Sequence, residues 1–251
     1  MKRAFFTIAD SNNIRYYEML KASLSKFHPN DELILFGDEQ IKESGDPHFF
    51  YRSTPIIAKA LFDKGYDEVC KLDSDLIVLG DLSHIWEGEY AVAVTNNSNP
   101  KEDQAYPVRL LDIHPFSYVN CGFVVMKSKA FVEHWFKLCF SEHFNNFQYR
   151  EQDLLNLMVF FMGDQFGGPY KVKFLDNSDK WHNLVSKGYT TETKLVDNKV
   201  ILPKGEQWPF DGDKQLVAYH YAGGNNNPMK GNYRIVFPED VVKYIDTLVK
   251  P

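Results

Sequence analysis

The sequence predicts an α/β fold in a single domain, on three observations. The chain opens with the strand, helix, strand unit of a parallel sheet, a second helix leads into a buried strand carrying two aspartates, and an amphipathic helix closes the chain. At 251 residues, 44% hydrophobic and 15% aromatic, it has the material for one sizeable core. No repeat, low-complexity tract or linker divides it.

Ala4 to Ile8 is a short apolar strand, and Asp10-Ser-Asn-Asn13 offers several N-caps to a helix whose apolar positions Ile14, Tyr17, Leu20, Leu24 and Phe27 recur at helical spacing. His28-Pro-Asn30 ends it, and Glu32 to Phe36 is the next strand. The Asp10 to Asn13 loop therefore follows the carboxyl end of a strand, where open α/β sheets bind ligands. Ser53-Thr-Pro55 caps a second helix, with Pro55 suited to its first position and Gly65 to its end.

Val69 to Leu79 reads as one buried strand with Asp73 and Asp75 at its middle. Side chains alternate along a strand, so the two carboxylates share a face and Ser74 takes the other. Burying ionised carboxylates without partners costs several kcal/mol or more, and a divalent metal removes that cost. A strand end followed by a turn with exposed acids is the plainer alternative. A calcium loop is excluded, since Ile77 stands where Asp-x-Asp-x-Asp-Gly needs an oxygen ligand.

Tyr90 to Thr95 is a further strand, followed by a polar run from Asn96 to Gln104 that reads as a mobile loop near a site. Tyr118 to Met126 is a strand interrupted at Asn120-Cys-Gly122, where the glycine marks a close approach by ligand or backbone. Ser128 caps an aromatic-rich helix to about Phe140, and Arg150-Glu-Gln-Asp153 opens another, Leu154 to Met162. Glu151 and Asp153 in that first turn also complement the helix dipole, a purely structural role. Val172 to Leu175, Val200 to Leu202 and Leu216 to Tyr219 complete the sheet and cover its edge, and Pro238 to Lys250 is the closing helix with Val241, Ile245 and Leu248 on one face.

Composition excludes several classes. Cys70, Cys121 and Cys139 lie in apolar stretches without Cys-x-x-Cys spacing, which argues against a disulfide framework or zinc knuckle and for a reducing compartment. Asp10 ends the opening apolar run before it reaches signal-peptide length, and no run approaches the roughly 20 residues of a membrane span. The expected location is the cytoplasm, free or held at a membrane surface. A net charge of −6 and pI near 5.8 argue against nucleic acid as partner.

The second chemical signal is Val217-Ala-Tyr-His220-Tyr-Ala-Gly-Gly224, an apolar strand ending in histidine and a glycine pair. The imidazole is a candidate third metal ligand, and two carboxylates with one imidazole suit Mn²⁺ slightly better than Mg²⁺. The glycines let backbone N–H groups approach phosphate oxygens.

Leu72-Asp-Ser-Asp75, Asn120-Cys-Gly122, Glu151-Gln-Asp-Leu-Leu-Asn156 and His220-Tyr-Ala-Gly223, behind an N-terminal strand and Asp/Asn loop, occur in the order seen in GT-A fold glycosyltransferases. The chain most resembles family 8, the glycogenin and bacterial lipopolysaccharide galactosyltransferase group. The resemblance implies a Rossmann-like, mixed, mostly parallel sheet flanked by helices. Residues 1–126 would be its nucleotide-sugar half and 127–251 its acceptor-side, closing half. It implies a UDP-sugar or related donor whose diphosphate is bridged by a metal on Asp73, Asp75 and His220. Asp10 and Asn12 match nucleoside contacts, Asn120 and Gly122 the strand beside the donor sugar, and Glu151-Gln152 a pair close to the anomeric carbon. Lys59, Ser74 and Gly223 are further donor-binding candidates. Two departures stand out: Glu151 replaces an Asp, and Asn227-Pro-Met229 replaces Lys-Pro-Trp, leaving Lys230 to supply the phosphate-binding cation.

A metal supplies the charge neutralisation that departure of a nucleoside diphosphate requires. If the transfer retains configuration, Gln152 or Asp153 lies near the anomeric carbon. If it inverts, Glu151 or Asp153 deprotonates a glycan, lipid-linked or protein hydroxyl. A metal-dependent nucleotidyltransferase is the alternative enzyme, though Asp10-Ser-Asn-Asn-Ile14 is neither Gly-rich nor basic. A sugar- or nucleotide-binding protein without turnover is the third reading. Trp181, Trp208 and Tyr233 are candidate sugar-stacking platforms on the acceptor side, competing with a place in the core.

Overall fold

A computed structural model of the protein describes residues 1–96, 110, 112, 117–184, 190–204, 211–220 and 232–250. The opening unit is as expected: β1 (Arg3–Ile8), α1 (Ile14–Phe27) and β2 (Leu33–Phe36), with β1 and β2 parallel. Within α1 the buried positions are Tyr16, Tyr17, Leu20, Ser23 and Leu24, whereas Ile14, in the first turn, is 42% exposed. A short helix missed in the sequence, α2 (Asp38–Glu43), has no buried residue and hence no apolar periodicity to betray it. Helix α3 (Ser53–Asp63) starts two residues earlier than Pro55 suggests, and Gly65 beyond its end has φ +82°, the left-handed conformation expected there.

The expected strand from Val69 to Leu79 is two strands. β3 (Glu68–Leu72) belongs to the main sheet, and β4 (Leu76–Val78) leaves it to pair with β12 (Ala218–His220). The strand end and turn considered as the plainer alternative is thus the local geometry, and the acids are only part-exposed. β5 (Val92–Asn96) and β6 (Val119–Met126) follow, the residues 97–104 of the expected mobile loop lying outside those described. β6 is unbroken, but its pairing with β5 slips at the glycine site: Val94 pairs with Val124, and Thr95 with Asn120. After α4 (Lys129–Cys139) and α5 (Glu151–Met162), β7 (Val172–Phe174) adds to β5 and completes the six-stranded sheet, in the order β2-β1-β3-β6-β5-β7.

The other late strands do not join that sheet. β8 (Lys180–Trp181), β9 (Lys194–Val196), β10 (Lys199–Leu202) and β11 (Lys214–Leu216) form a separate four-stranded one. One apolar cluster fills the space between the main sheet and α3, α4 and α5, and a second lies on the α1 side. A third joins the small sheet to the closing helix α7 (Glu239–Val249), which follows the one-turn α6 (Tyr233–Val236) and buries Val241, Ile245 and Leu248 as expected. Among the described residues no helix is long and apolar enough to cross a membrane.

Candidate active site

β6 alone runs against the other five strands of the main sheet. The carboxyl ends of β1 and β3 therefore meet the amino end of β6 at one edge, next to the point where strand order reverses from β1 towards β2 on one side and β3 on the other. A cavity of about 470 Å³ opens at that edge.

Asp73 N donates to Gly122 O at 2.8 Å and Leu76 N to Asp73 O at 3.0 Å, so the chain turns over Ser74 and Asp75 as it leaves the sheet. A turn, rather than strand pleat, brings the two carboxylates to one side. His220 pairs with Leu76 at the end of β12, which delivers its ring to that turn. Nε2 lies 3.3 Å from Asp73 Oδ2 and 3.1 Å from Asp75 Oδ1, and one ligand atom from each residue falls within 4.8 Å of the others.

The imidazole is held from behind. Its Nδ1 faces Asn183 Oδ1 at 2.9 Å, while Asn183 Nδ2 donates to Asn120 Oδ1 at 2.8 Å, which fixes the amide's orientation. Nδ1–H donating to a carbonyl oxygen leaves Nε2 as the ligand atom, the usual arrangement of metal-binding histidines. Space is reserved as well. A Cβ at Gly122 would stand 2.6 Å from His220 Cε1, 2.7 Å from Asn120 Oδ1 and 2.9 Å from Asp73 Oδ2. Two carboxylates and an imidazole are a donor set that fits a divalent metal ion.

Burial pushes the Asp73 carboxyl up, but the Lys71 ammonium and the His220 ring outweigh it and hold Asp73 below the usual carboxylate range. Burial likewise pushes His220 down, and Asp75 and Asp73 together raise it above an ordinary histidine.

Glu151 and Gln152 open α5 and line the cavity. Gln152 Oε1 accepts from Cys121 N at 2.9 Å, a donor left free by the slipped pairing of β6. Glu151 Oε1 accepts from the Thr54 hydroxyl at 2.8 Å and Oε2 from Thr54 N at 3.2 Å; burial pushes its pKa up to about 7, opposed by Lys71 and by these bonds. Asp153 is absent from the lining: its oxygens accept from Tyr118 OH at 2.7 Å and Tyr149 N at 2.9 Å, and it is fully buried.

Of the other candidates, Ser74, Asn120 and Gly122 line the cavity. Asp10 and Asn12 do not; Asp10 Oδ1 instead accepts from Asn13 N and Nδ2 at 3.0 and 2.7 Å, and it is Asn13 that reaches the cavity. Asn12 Nδ2 lies 3.4 Å from Asp10 Oδ2. Lys59 is on the outer face of α3, 2.7 Å from Asp63, away from the site. Gly223, Lys230 and Trp208 lie outside the described residues. Trp181 and Tyr233 are 2% and 4% exposed and belong to the core, so neither presents a ring face; the exposed aromatics lining the cavity are Phe50 and Tyr51, at 46% and 57%.

Sequence reasoning missed Lys71, Thr54, Asn13, Asn183 and these two rings. Lys71 had a signal: it precedes Asp73 and Asp75 at the same two-residue interval in an otherwise apolar run. Asn183 had none.

No protein-family model matches the sequence, and no curated protein does. Among solved structures, the chain is similar to the galactosyltransferase LgtC in complex with donor and acceptor sugar analogs, with a TM-score of 0.56 and 17% identity, covering 99% of this chain and 97% of that one. It is also similar to a glycosyltransferase involved in glycosylation of the major capsid of PBCV-1, with a TM-score of 0.56, 14% identity and coverage of 94% and 100%. The bifunctional glycosyltransferase WbbM aligns at a TM-score of 0.56 and 15% identity over 88% of this chain and 46% of its own. Identities this low speak to the fold, and on that ground the chain has the GT-A glycosyltransferase fold that its sequence resembles.

Proposed function

We propose that this chain is a metal-dependent glycosyltransferase that moves a sugar from a nucleotide-sugar donor, UDP-linked, to a hydroxyl acceptor with retention of configuration. The observation that carries the reading is the convergence of Asp73, Asp75 and a rear-anchored His220 in the cavity that Gln152 also lines. These three side chains would hold Mn²⁺ or Mg²⁺, which when bound neutralises the charge of the departing diphosphate. Gln152, pinned through its carbonyl to Cys121 N, is the candidate beside the anomeric carbon. Retention is favoured because Asp153 is buried under Tyr118 and Tyr149 and absent from the cavity lining, while Glu151, which does line the cavity, has each oxygen engaged by Thr54, so neither of the two is an unengaged base facing an acceptor hydroxyl. In this reading residues 1–126 form the nucleotide-sugar half and residues 127–251 the acceptor-side half, working in the cytoplasm or at a membrane surface.

The test is a thermal-shift panel of UDP, GDP, CMP and dTDP, each with and without Mn²⁺, since a ligand that binds only the folded state raises its melting temperature. A shift with UDP that requires Mn²⁺ and vanishes in Asp75→Ala, at an unchanged ligand-free melting temperature, is the expected outcome. Release of UDP from a UDP-sugar then separates a transferase from a binding protein. The four nucleoside triphosphates are run alongside, and a metal-dependent shift with these alone points instead to a nucleotidyltransferase.

A further inference from the structure

Lys71 sits in β3, in the middle of the sheet, beside Phe6 of β1 and Val124 of β6, and is 5% exposed. A buried ammonium costs several kcal/mol in desolvation unless partners hold it. Two do: Nζ donates to Asp73 Oδ1 and, at 2.7 Å, to Cys121 O. The consequence falls on Asp73. With Oδ1 engaged by Lys71, Oδ2 is the oxygen directed at His220 Nε2 and hence at the candidate metal position.

We propose that Lys71 is a positioning residue for the metal: by holding Asp73 Oδ1 it restricts that carboxylate to a single ligand oxygen and so biases the site towards Mn²⁺ and Mg²⁺ over Ca²⁺. The proposal rests on the reading that Asp73, Asp75 and His220 hold a metal. Ca²⁺ takes six to eight oxygens and readily uses both atoms of a carboxylate, whereas Mg²⁺ demands near-ideal six-fold geometry. Freeing Oδ1 would relax this restriction. Removing the ammonium also strengthens binding of every cation alike, so the ratio of affinities, not either affinity, reads the geometry.

The experiment titrates the whole protein with MnCl₂, following free Mn²⁺ by electron paramagnetic resonance, and repeats the titration in competition with CaCl₂. Native protein, Lys71→Met and Lys71→Arg are compared. The expected result is a fall of about tenfold in the Mn²⁺ to Ca²⁺ affinity ratio in Lys71→Met, the low end for losing a partner of a metal ligand, and a ratio kept in Lys71→Arg, which retains a charged donor. A Lys71→Met ratio within about twofold of native overturns the proposal and leaves the metal reading intact, since removal of a ligand's partner should exceed that. Native protein that binds no Mn²⁺ overturns both. Near-UV circular dichroism checks each variant's fold; should Lys71→Met not fold, Lys71→Ala is read by the same ratio. A merely structural role would lower the melting temperature and leave the ratio unmoved.

Discussion

Glu151 shows how one buried residue ties the site to stability. It is 8% exposed, accepts two bonds from Thr54, and its pKa is pushed from an ordinary 4.5 up to about 7, chiefly by burial. Between those values the folded chain holds the proton more tightly than the unfolded one, so this contribution to stability is complete below about pH 4.5 and is lost as pH rises through about 7. Glu151→Gln is expected to flatten the decline in melting temperature between about pH 5 and pH 8, with the variant overtaking the native protein at the upper end. Parallel melting curves for the two across that range would show that the carboxyl does not titrate there. The same site illustrates two kinds of acid: Glu151 lines the cavity, whereas Asp153, two residues on, is turned inwards under Tyr118 and Tyr149.

At the scale of elements, the site depends on how α5 is stapled to a strand that has lost part of its ladder. Where β6 slips against β5, the backbone groups of Val119 and Cys121 find their partners on α5. Asn156 Oδ1 accepts from Val119 N at 2.6 Å, its Nδ2 donates to Val119 O at 2.9 Å and to Gln152 O at 2.8 Å, and it is fully buried. Asn156→Ala takes the side-chain partner from Val119 N and Val119 O in a buried place, at a cost of about 2–4 kcal/mol, or about 5–10 °C in melting temperature for a chain of this size. Because Gln152 rides on the same turn, turnover should fall in this variant while Mn²⁺ binding persists. A melting temperature within a degree or so of native would mean that the staple contributes little.

Across the whole molecule, the early and late parts of the chain share both sheets and core. β7 extends the sheet begun by β1, β12 pairs with β4 to bring His220 to Asp73 and Asp75, and α7 packs against α1 in one apolar cluster. The halves assigned to donor and acceptor are therefore expected to unfold together, with far-UV and near-UV circular dichroism tracing one coincident transition in urea. Two separate transitions would mark the halves as independent folding units.

How far the sequence carries can be seen by following the candidate metal group. Asp73, Asp75 and His220 were each legible, because polar side chains inside apolar runs are costly enough to demand a reason. The α/β class and the closing helix were legible because local periodicity encodes which face is buried. Sequence could not tell that the aspartate strand breaks at Leu72, because both of its halves are buried and apolar and a change of sheet leaves no mark on such a run. Nor could it separate Glu151 from Asp153, or find Asn183 behind His220, since those roles follow from contacts between residues 35 or more apart in the chain. The sequence by itself determined the fold class and the chemistry of the candidate ligand atoms; only the tertiary structure decided which carboxylates face the cavity, which cation holds Asp73 and which amide orients the imidazole, because burial and long-range pairing are properties of the packed chain.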